Sequence, residues 1–189
     1  MDRISEFEFR IFDLKNPLSP ELFEDFYSIM EGSFPKEERR SRQGFLELIS
    51  SCEKYRIFSL LEGGRLIAFF TIWDFSDFSF GDHFAVLESI RNKGIGAKLL
   101  EKVFSLSKLP FVLEAELPDT KIAEHRLNFY GRNGFKINEF PYLLPPMQEG
   151  CEAVPMRILS YPESLSESEF NSIKKTLYKE VYNVKTSAF

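Results

Sequence analysis

Apolar residues recur along this chain at two periods, and the period switches many times. Phe7, Phe9 and Ile11 alternate with Glu8 and Arg10, the pattern of a half-buried strand. Leu22, Phe23, Phe26, Ile29 and Met30 then fall at helical spacing. Ahead of them Ser19-Pro20-Glu21 offers a capping hydroxyl, a first-turn proline and an acid. Gly32 and Phe34-Pro35 close that helix, and a second runs from about Glu37 to Ser51 with Phe45, Leu48 and Ile49 inward. Tyr55 to Glu62 and Arg65 to Trp73 are strands around Gly63-Gly64, a strong hairpin signal. Asp74 to Asp82 reads as a polar and aromatic loop. A strand 83–87, a glycine-bearing turn and a helix to about Ser107 follow. Pro110 opens a strand from Phe111 to Leu117, and Asp119 caps a helix ending near Gly134. Phe135 to Phe140 and Ala153 to Leu159 are strands either side of the proline-rich loop Pro141 to Gly150. Ser166 and Glu169 form a capping box, behind which Phe170, Ile173, Leu177 and Val181 give a closing amphipathic helix.

The predicted order is β-α-α-β-β-β-α-β-α-β-β-α, an α/β (mixed α+β) class. Short turns join most strands, so most of the sheet is expected to be antiparallel. The strands flanking helix 94–107 need a crossover and are expected to be parallel. With no repeat or low-complexity linker, residues 1–189 read as a single domain, with a helical extension from about 164 to 183.

Composition adds mainly exclusions. The hydrophobic share of 43% is ordinary, and 21 phenylalanines point to a Phe-rich core. A net charge of −5 argues against a nucleic-acid binder. The two cysteines, Cys52 and Cys151, make neither a disulfide framework nor a zinc site. A cytoplasmic location fits these features. The amino terminus resembles no signal peptide, and no apolar run reaches a membrane span.

The chemistry concentrates at Arg91-Asn92-Lys93-Gly94-Ile95-Gly96-Ala97. A strand precedes this segment and a helical pattern succeeds it. First-turn N–H groups lack carbonyl partners and carry the positive end of the helix dipole. Glycine lets a phosphate approach such a backbone closely, so the segment reads as a pyrophosphate grip. Arg91, Lys93 and Lys98 add positive charge. The phosphate loop G-x-x-x-x-G-K-[ST] is absent, and Leu99 stands where the dinucleotide fingerprint needs its third glycine. The hairpin at 55–73 further opposes a nucleotide-binding domain with a mainly parallel sheet.

Arg91-x-x-Gly94-x-Gly96 resembles the acetyl-CoA signature of the GNAT N-acetyltransferase superfamily. Asn128-Phe129-Tyr130-Gly131-Arg132-Asn133-Gly134-Phe135 resembles its second signature, a helix ending in F-Y-x-x-x-G-F. The likeness covers roughly residues 55 to 140. It implies a mostly antiparallel sheet with one splayed parallel strand pair, helices on both faces and the cofactor in the gap. It also implies acetyl transfer from acetyl-CoA to a small-molecule or peptide amine, with no metal. Ala85 and Val86 would pair with the pantetheine arm, and the N–H of Val86 or a neighbour would donate to the oxyanion. Residues 91–97 would hold the phosphates.

Such transfer needs a base, an acid and donors for the developing oxyanion. On strand 111–117, Val112, Glu114 and Glu116 share one face. Carboxylates two residues apart on a strand lie roughly 6.5–7 Å apart, and like charges at that range favour retaining a proton. The plain alternative is a solvated outer face. The resemblance implies a catalytic glutamate on this strand, with Glu114 the better match and Glu116 the second. It likewise makes Tyr130 the acid for the CoA thiolate. From the pattern alone, Tyr130 shares a helical face with Ile122, Ala123 and Leu127 as a core tyrosine. Arg126 reads as an exposed helix arginine within reach of a phosphate. His83 and His125 make no metal site, and His83 reads as a satisfied, partly buried side chain. Acceptor candidates are Glu37, Glu38 and Arg39, in a connection that often lines the acceptor site in this superfamily, and Tyr142 with loop 141–150. Five residues beyond Glu114 stands Asp119, not the asparagine of the branch that acetylates protein N-termini, which disfavours a ribosomal-protein substrate. Phe75, Phe78 and Phe80 are expected exposed, as a homodimer contact or acceptor pocket. The rival reading is a non-catalytic acyl-CoA-binding sensor, which needs no acid and base.

Overall fold

The computed structural model describes residues 7–184, which hold seven strands and five α-helices in the order expected. They fall into two compact units. The first comprises the chain to Pro35 and Arg40–Pro110, and the second Lys36–Arg39 and Phe111 onward.

In the first unit, β1 (Glu8–Phe12), β2 (Tyr55–Glu62), β3 (Arg65–Asp74) and β4 (Ser79–Val86) pair antiparallel in sequence order. Each strand face carries its own aromatic set, because neighbouring residues point opposite ways. Phe69 meets Phe26 of α1 (Pro20–Ser33) at 4.7 Å. Phe70, on the other face, meets Phe84 at 5.3 Å, and Phe9 on the same side lies beneath Lys102 of α3 (Ile95–Leu106). Helices therefore cover both faces of this unit's sheet. Asp25 of α1 ties that helix to β3, accepting two bonds from Arg65 Nε (3.0 and 2.8 Å) and one from Leu66 N (3.1 Å).

Three expectations shift here. The second helix starts later: Lys36–Glu38 is a single 3₁₀ turn, and α2 is Arg42–Ser51 with the Ser41 hydroxyl accepting from Gly44 N. The loop after β3 is shorter, because the strand resumes at Ser79. Phe78 and Phe80 are buried (4% and 0% exposed), so they are core and not a dimer contact or acceptor wall. Alternation is masked there by a bulge. Thr71 pairs with His83 and Ile72 with Gly81, which leaves Asp82 unmatched.

In the second unit, β5 (Phe111–Glu116) and β6 (Lys136–Leu144) both pair antiparallel with β7 (Val154–Tyr161). The proline-rich segment is strand as far as Leu144, past an irregularity between Asn138 and Tyr142. Thr120, rather than Asp119, caps α4 (Lys121–Arg132), accepting from Ala123 N. Gly134 ends α4 in the left-handed region (φ +91°), and a Cβ there would stand 3.0 Å from the Tyr161 ring. The motif glycine thus has both a conformational and a steric cause. The capping box forms at Ser166 and Glu169, opening α5 (Glu167–Thr176), which continues as a π-helical turn over Leu177–Val181.

Candidate active site

The first unit carries every cofactor candidate. Leu87 N donates to Ile67 O (2.8 Å), bracketing the Ala68–Val86 pair. That makes it a wide pair, so Val86's own N–H and C=O point away from β3. Ala85 is buried within the ladder against Phe69. A 3₁₀ turn, Glu88–Ile90, then delivers the chain to Arg91. Asn92 and Gly94 are left-handed (φ 63° and 78°), and Gly94 is the N-cap of α3, with no side-chain cap bond. Ile95, buried at 5% exposure, anchors the helix start, while Gly96 and Ala97 complete its first turn half-exposed. Arg91 donates from Nε to Val86 O (2.9 Å) and from Nη2 to Ser33 Oγ (3.1 Å). This guanidinium links the end of β4 to the end of α1. Lys93 is exposed beside it.

The second unit carries the catalytic and acceptor candidates. Glu114 and Glu116 are both half-buried on β5, yet their partners differ in kind. Glu116 forms an ion pair with Arg126 of α4. Arg126 is therefore a carboxylate partner rather than an exposed arginine. Glu114 accepts a bond on Oε1 from the Tyr142 hydroxyl and on Oε2 from the Tyr182 hydroxyl (2.6 Å). Tyr142 is 3% exposed. Tyr130 is 6% exposed and packs against Phe135 at 5.5 Å. Burial pushes its phenol up to about 12, with Arg126 opposing and Glu116 adding to the rise. The phenol is thus fully protonated at neutral pH. Ala123 and Leu127 share its buried face, but Ile122 is 73% exposed and does not. Lys36 and Arg39, flanking Glu37 and Glu38, have their carbonyls bonded by Gln148 Nε2 (3.2 and 2.9 Å). The two segments expected to line the acceptor site are therefore in contact.

One polar cluster has no signal in the sequence. The bulge at Asp82 turns its side chain into the first unit, 2% exposed, where Arg40 Nη1 (2.7 Å) and Trp73 Nε1 (3.1 Å) donate to Oδ2. His83 Nδ1 lies 3.2 Å from Oδ1. Burial alone would raise the Asp82 carboxyl, but His83 and Arg40 outweigh it and hold it well below the usual carboxylate range. His83 itself is 3% exposed with its ring edge-on to Phe34 at 4.8 Å, more deeply buried than expected. His125 is exposed on α4. Among the described residues no group of three or more His, Cys, Asp or Glu is placed to hold a metal ion. No helix among them is long and apolar enough to cross a membrane.

Comparison with known proteins agrees in one direction. The family model described as "Acetyltransferase (GNAT) domain" matches residues 53–137. A candidate acetyltransferase of Bacillus subtilis (strain 168), YjbC, is 30% identical over 164 residues, which are 85% of this chain and 83% of that one. Among solved structures, a candidate GNAT-family acetyltransferase from Bacteroides thetaiotaomicron is 30% identical, with a TM-score of 0.84 over 94% of this chain and 99% of its own. A GNAT family acetyltransferase from Elizabethkingia anophelis, solved with acetyl-CoA bound, shares the fold. Its TM-score is 0.56 at 16% identity, covering 82% of this chain and 97% of its own.

Proposed function

The chain belongs to the GNAT acetyltransferase family and is an acyltransferase, and from that premise we propose that it moves acetyl from acetyl-CoA directly onto an amine. The observation that carries the proposal is the turn that opens α3. It combines a left-handed Gly94 N-cap, no side-chain cap and basic residues beside it. Those N–H groups and the dipole suit a pyrophosphate, and acetyl-CoA supplies the acyl thioester that the family uses. The Val86 N–H, directed away from β3, would donate to the carbonyl oxygen as it becomes negative.

Glu114 is the base in this reading, directly or through a water. Two phenols donate to it, one to each oxygen, whereas Glu116 is held in an ion pair by Arg126. A carboxylate placed there can hold an ammonium and take its proton. Tyr130 is the acid. Its proton is retained well above neutral pH and can pass to the departing thiolate. The neutral amine then attacks the thioester carbon, the C–S bond breaks, and the thiolate takes the Tyr130 proton. The proton shed by the new amide nitrogen returns to the Tyr130 phenolate, and Glu114 releases its proton to solvent. Neither cysteine joins a nucleophile motif, so no acyl-enzyme is invoked. Tyr142 and the segment holding Glu37, Glu38 and Arg39 are the acceptor-side candidates.

Thermal denaturation with acetyl-CoA, against NAD and ATP, tests the proposal. Saturation at 100 times the dissociation constant stabilises by about 2.7 kcal/mol, which is read as a clear rise in melting temperature with acetyl-CoA alone. No rise refutes the grip. A rise with no thiol release on any amine of a broad panel would instead favour the acyl-CoA sensor.

A further inference from the structure

Acyl transfer by Glu114 and Tyr130 makes no use of the chain after β7, yet that segment ends on the strand-borne carboxylate. α5 packs on β6, with Phe170 stacked on Phe140 at 4.8 Å and facing Tyr142 at 6.4 Å. Tyr178 donates to Leu143 O (2.6 Å), and its ring lies 5.7 Å from that of Tyr142. Over Leu177–Val181 the helix widens to the π form, and Tyr182 N donates to Leu177 O at 3.1 Å. A π turn changes the angular phase of the residues beyond it and is found often at functional sites. Here it directly precedes Tyr182. Asn183 then turns left-handed (φ 53°), and Val184 N returns to Tyr178 O at 2.8 Å. Tyr182 is thus fixed by backbone bonds on both sides.

We propose that Tyr182 and Tyr142 are positioning residues, a two-phenol clamp that orients Glu114 for proton transfer, and that the C-terminal helix exists to deliver one half of it. This rests on the reading of Glu114 as the base. Each carboxylate oxygen accepts two hydrogen bonds. One phenol on each oxygen fixes the plane of the group. A phenol donor steers a carboxylate without bringing the formal charge that Arg126 brings to Glu116. A loose base loses rate steeply, since a misplacement of about 1 Å can cost roughly a hundredfold.

A mutant cycle tests this, using Tyr182→Phe, Glu114→Gln and the double variant, with Tyr142→Phe as a second entry to the clamp. Thiol release from acetyl-CoA is followed with a panel of primary amines and with water alone, and melting temperatures are recorded. Tyr182→Phe is expected to lower kcat about tenfold, leave the KM for acetyl-CoA within about two-fold, and add no loss to Glu114→Gln. A Tyr182→Phe loss that persists undiminished on Glu114→Gln overturns the clamp. So does an unchanged kcat with only a lowered melting temperature, which would make Tyr182 a strut. A slow Glu114→Gln beside a full-rate Tyr182→Phe sinks the clamp alone. A full-rate Glu114→Gln sinks the base reading and the positioning role with it.

Discussion

The turn at residues 91–97 and the cluster around Glu114 are built from different materials. The turn is backbone: a wide ladder pair at Val86, a left-handed Gly94 and the first N–H groups of α3. Its parts lie close together in sequence, and its chemistry survives changes of side chain. The Glu114 cluster is made of side chains from three elements, 28 residues away at Tyr142 and 68 at Tyr182. As proposed, the first site would bind by geometry that any glycine-permissive sequence can supply. The other depends on particular atoms, so substitutions should damage the two in different quantities, affinity for the first and turnover for the second.

The largest effect separates them at once. Glu114→Gln keeps the shape but removes the base, and because its amide nitrogen only donates, one of the two phenols must turn to accept. A general base contributes about 10²- to 10⁴-fold, so kcat should fall in that range while acetyl-CoA affinity, measured by titration calorimetry, stays put. Equal losses in both quantities would erase the distinction between the regions. Tyr130→Phe comes next. Without the phenol proton, kcat should drop about a hundredfold with little change in KM. A pH titration adds a second readout. The Tyr130 pKa is raised when folded, so its contribution to stability is complete below the ordinary tyrosine range and is lost only as pH climbs towards about 12. Ultraviolet phenolate absorbance should show a late-titrating tyrosine that Tyr130→Phe removes. An unchanged absorbance titration would contradict its burial.

This difference of material also decides what the sequence discloses. Strand-turn-helix order, the Gly63-Gly64 hairpin and both signature motifs are local, and each is legible because propensity and periodicity act over a few residues. The start of β4 is not, since the bulge at Asp82 breaks the period on which a strand is recognised. The continuation of β6 is hidden by prolines that normally argue against a strand. At the site, Glu114 is visible by strand parity, but Tyr182 is not. It stands in a helix whose Phe170, Ile173, Leu177 and Val181 stripe predicts a plain amphipathic α-helix, and the π turn that redirects it has no compositional mark. The Glu116–Arg126 pair, which sets that carboxylate apart from Glu114, is equally invisible.

A smaller effect tests the backbone half of the comparison. Gly94→Val puts a β-branched residue at φ 78°, where a Cβ would meet no protein atom within 4 Å. The cost is then conformational, roughly 1–2 kcal/mol for leaving the right-handed regions, with added crowding against a phosphate. The free turn should relax and acetyl-CoA should have to restore it, weakening binding roughly tenfold with kcat at saturation preserved. Calorimetry that finds unchanged affinity would mean the phosphates lie elsewhere.

The smallest effect is the most diagnostic of what the turn is made of. Ser33 Oγ accepts from Arg91 Nη2, so Ser33→Ala removes one of two bonds that hold the guanidinium against the first unit. Arg91 is exposed, and hydrogen bonds between exposed groups contribute little net free energy. If the grip is chiefly backbone N–H and helix dipole, acetyl-CoA affinity in Ser33→Ala should stay within about two-fold of wild type. A tenfold loss would instead show that the Arg91 side chain, held by Ser33 and Val86 O, is what shapes the cradle. The first region would then be a side-chain site like the second, and the contrast between them would fall.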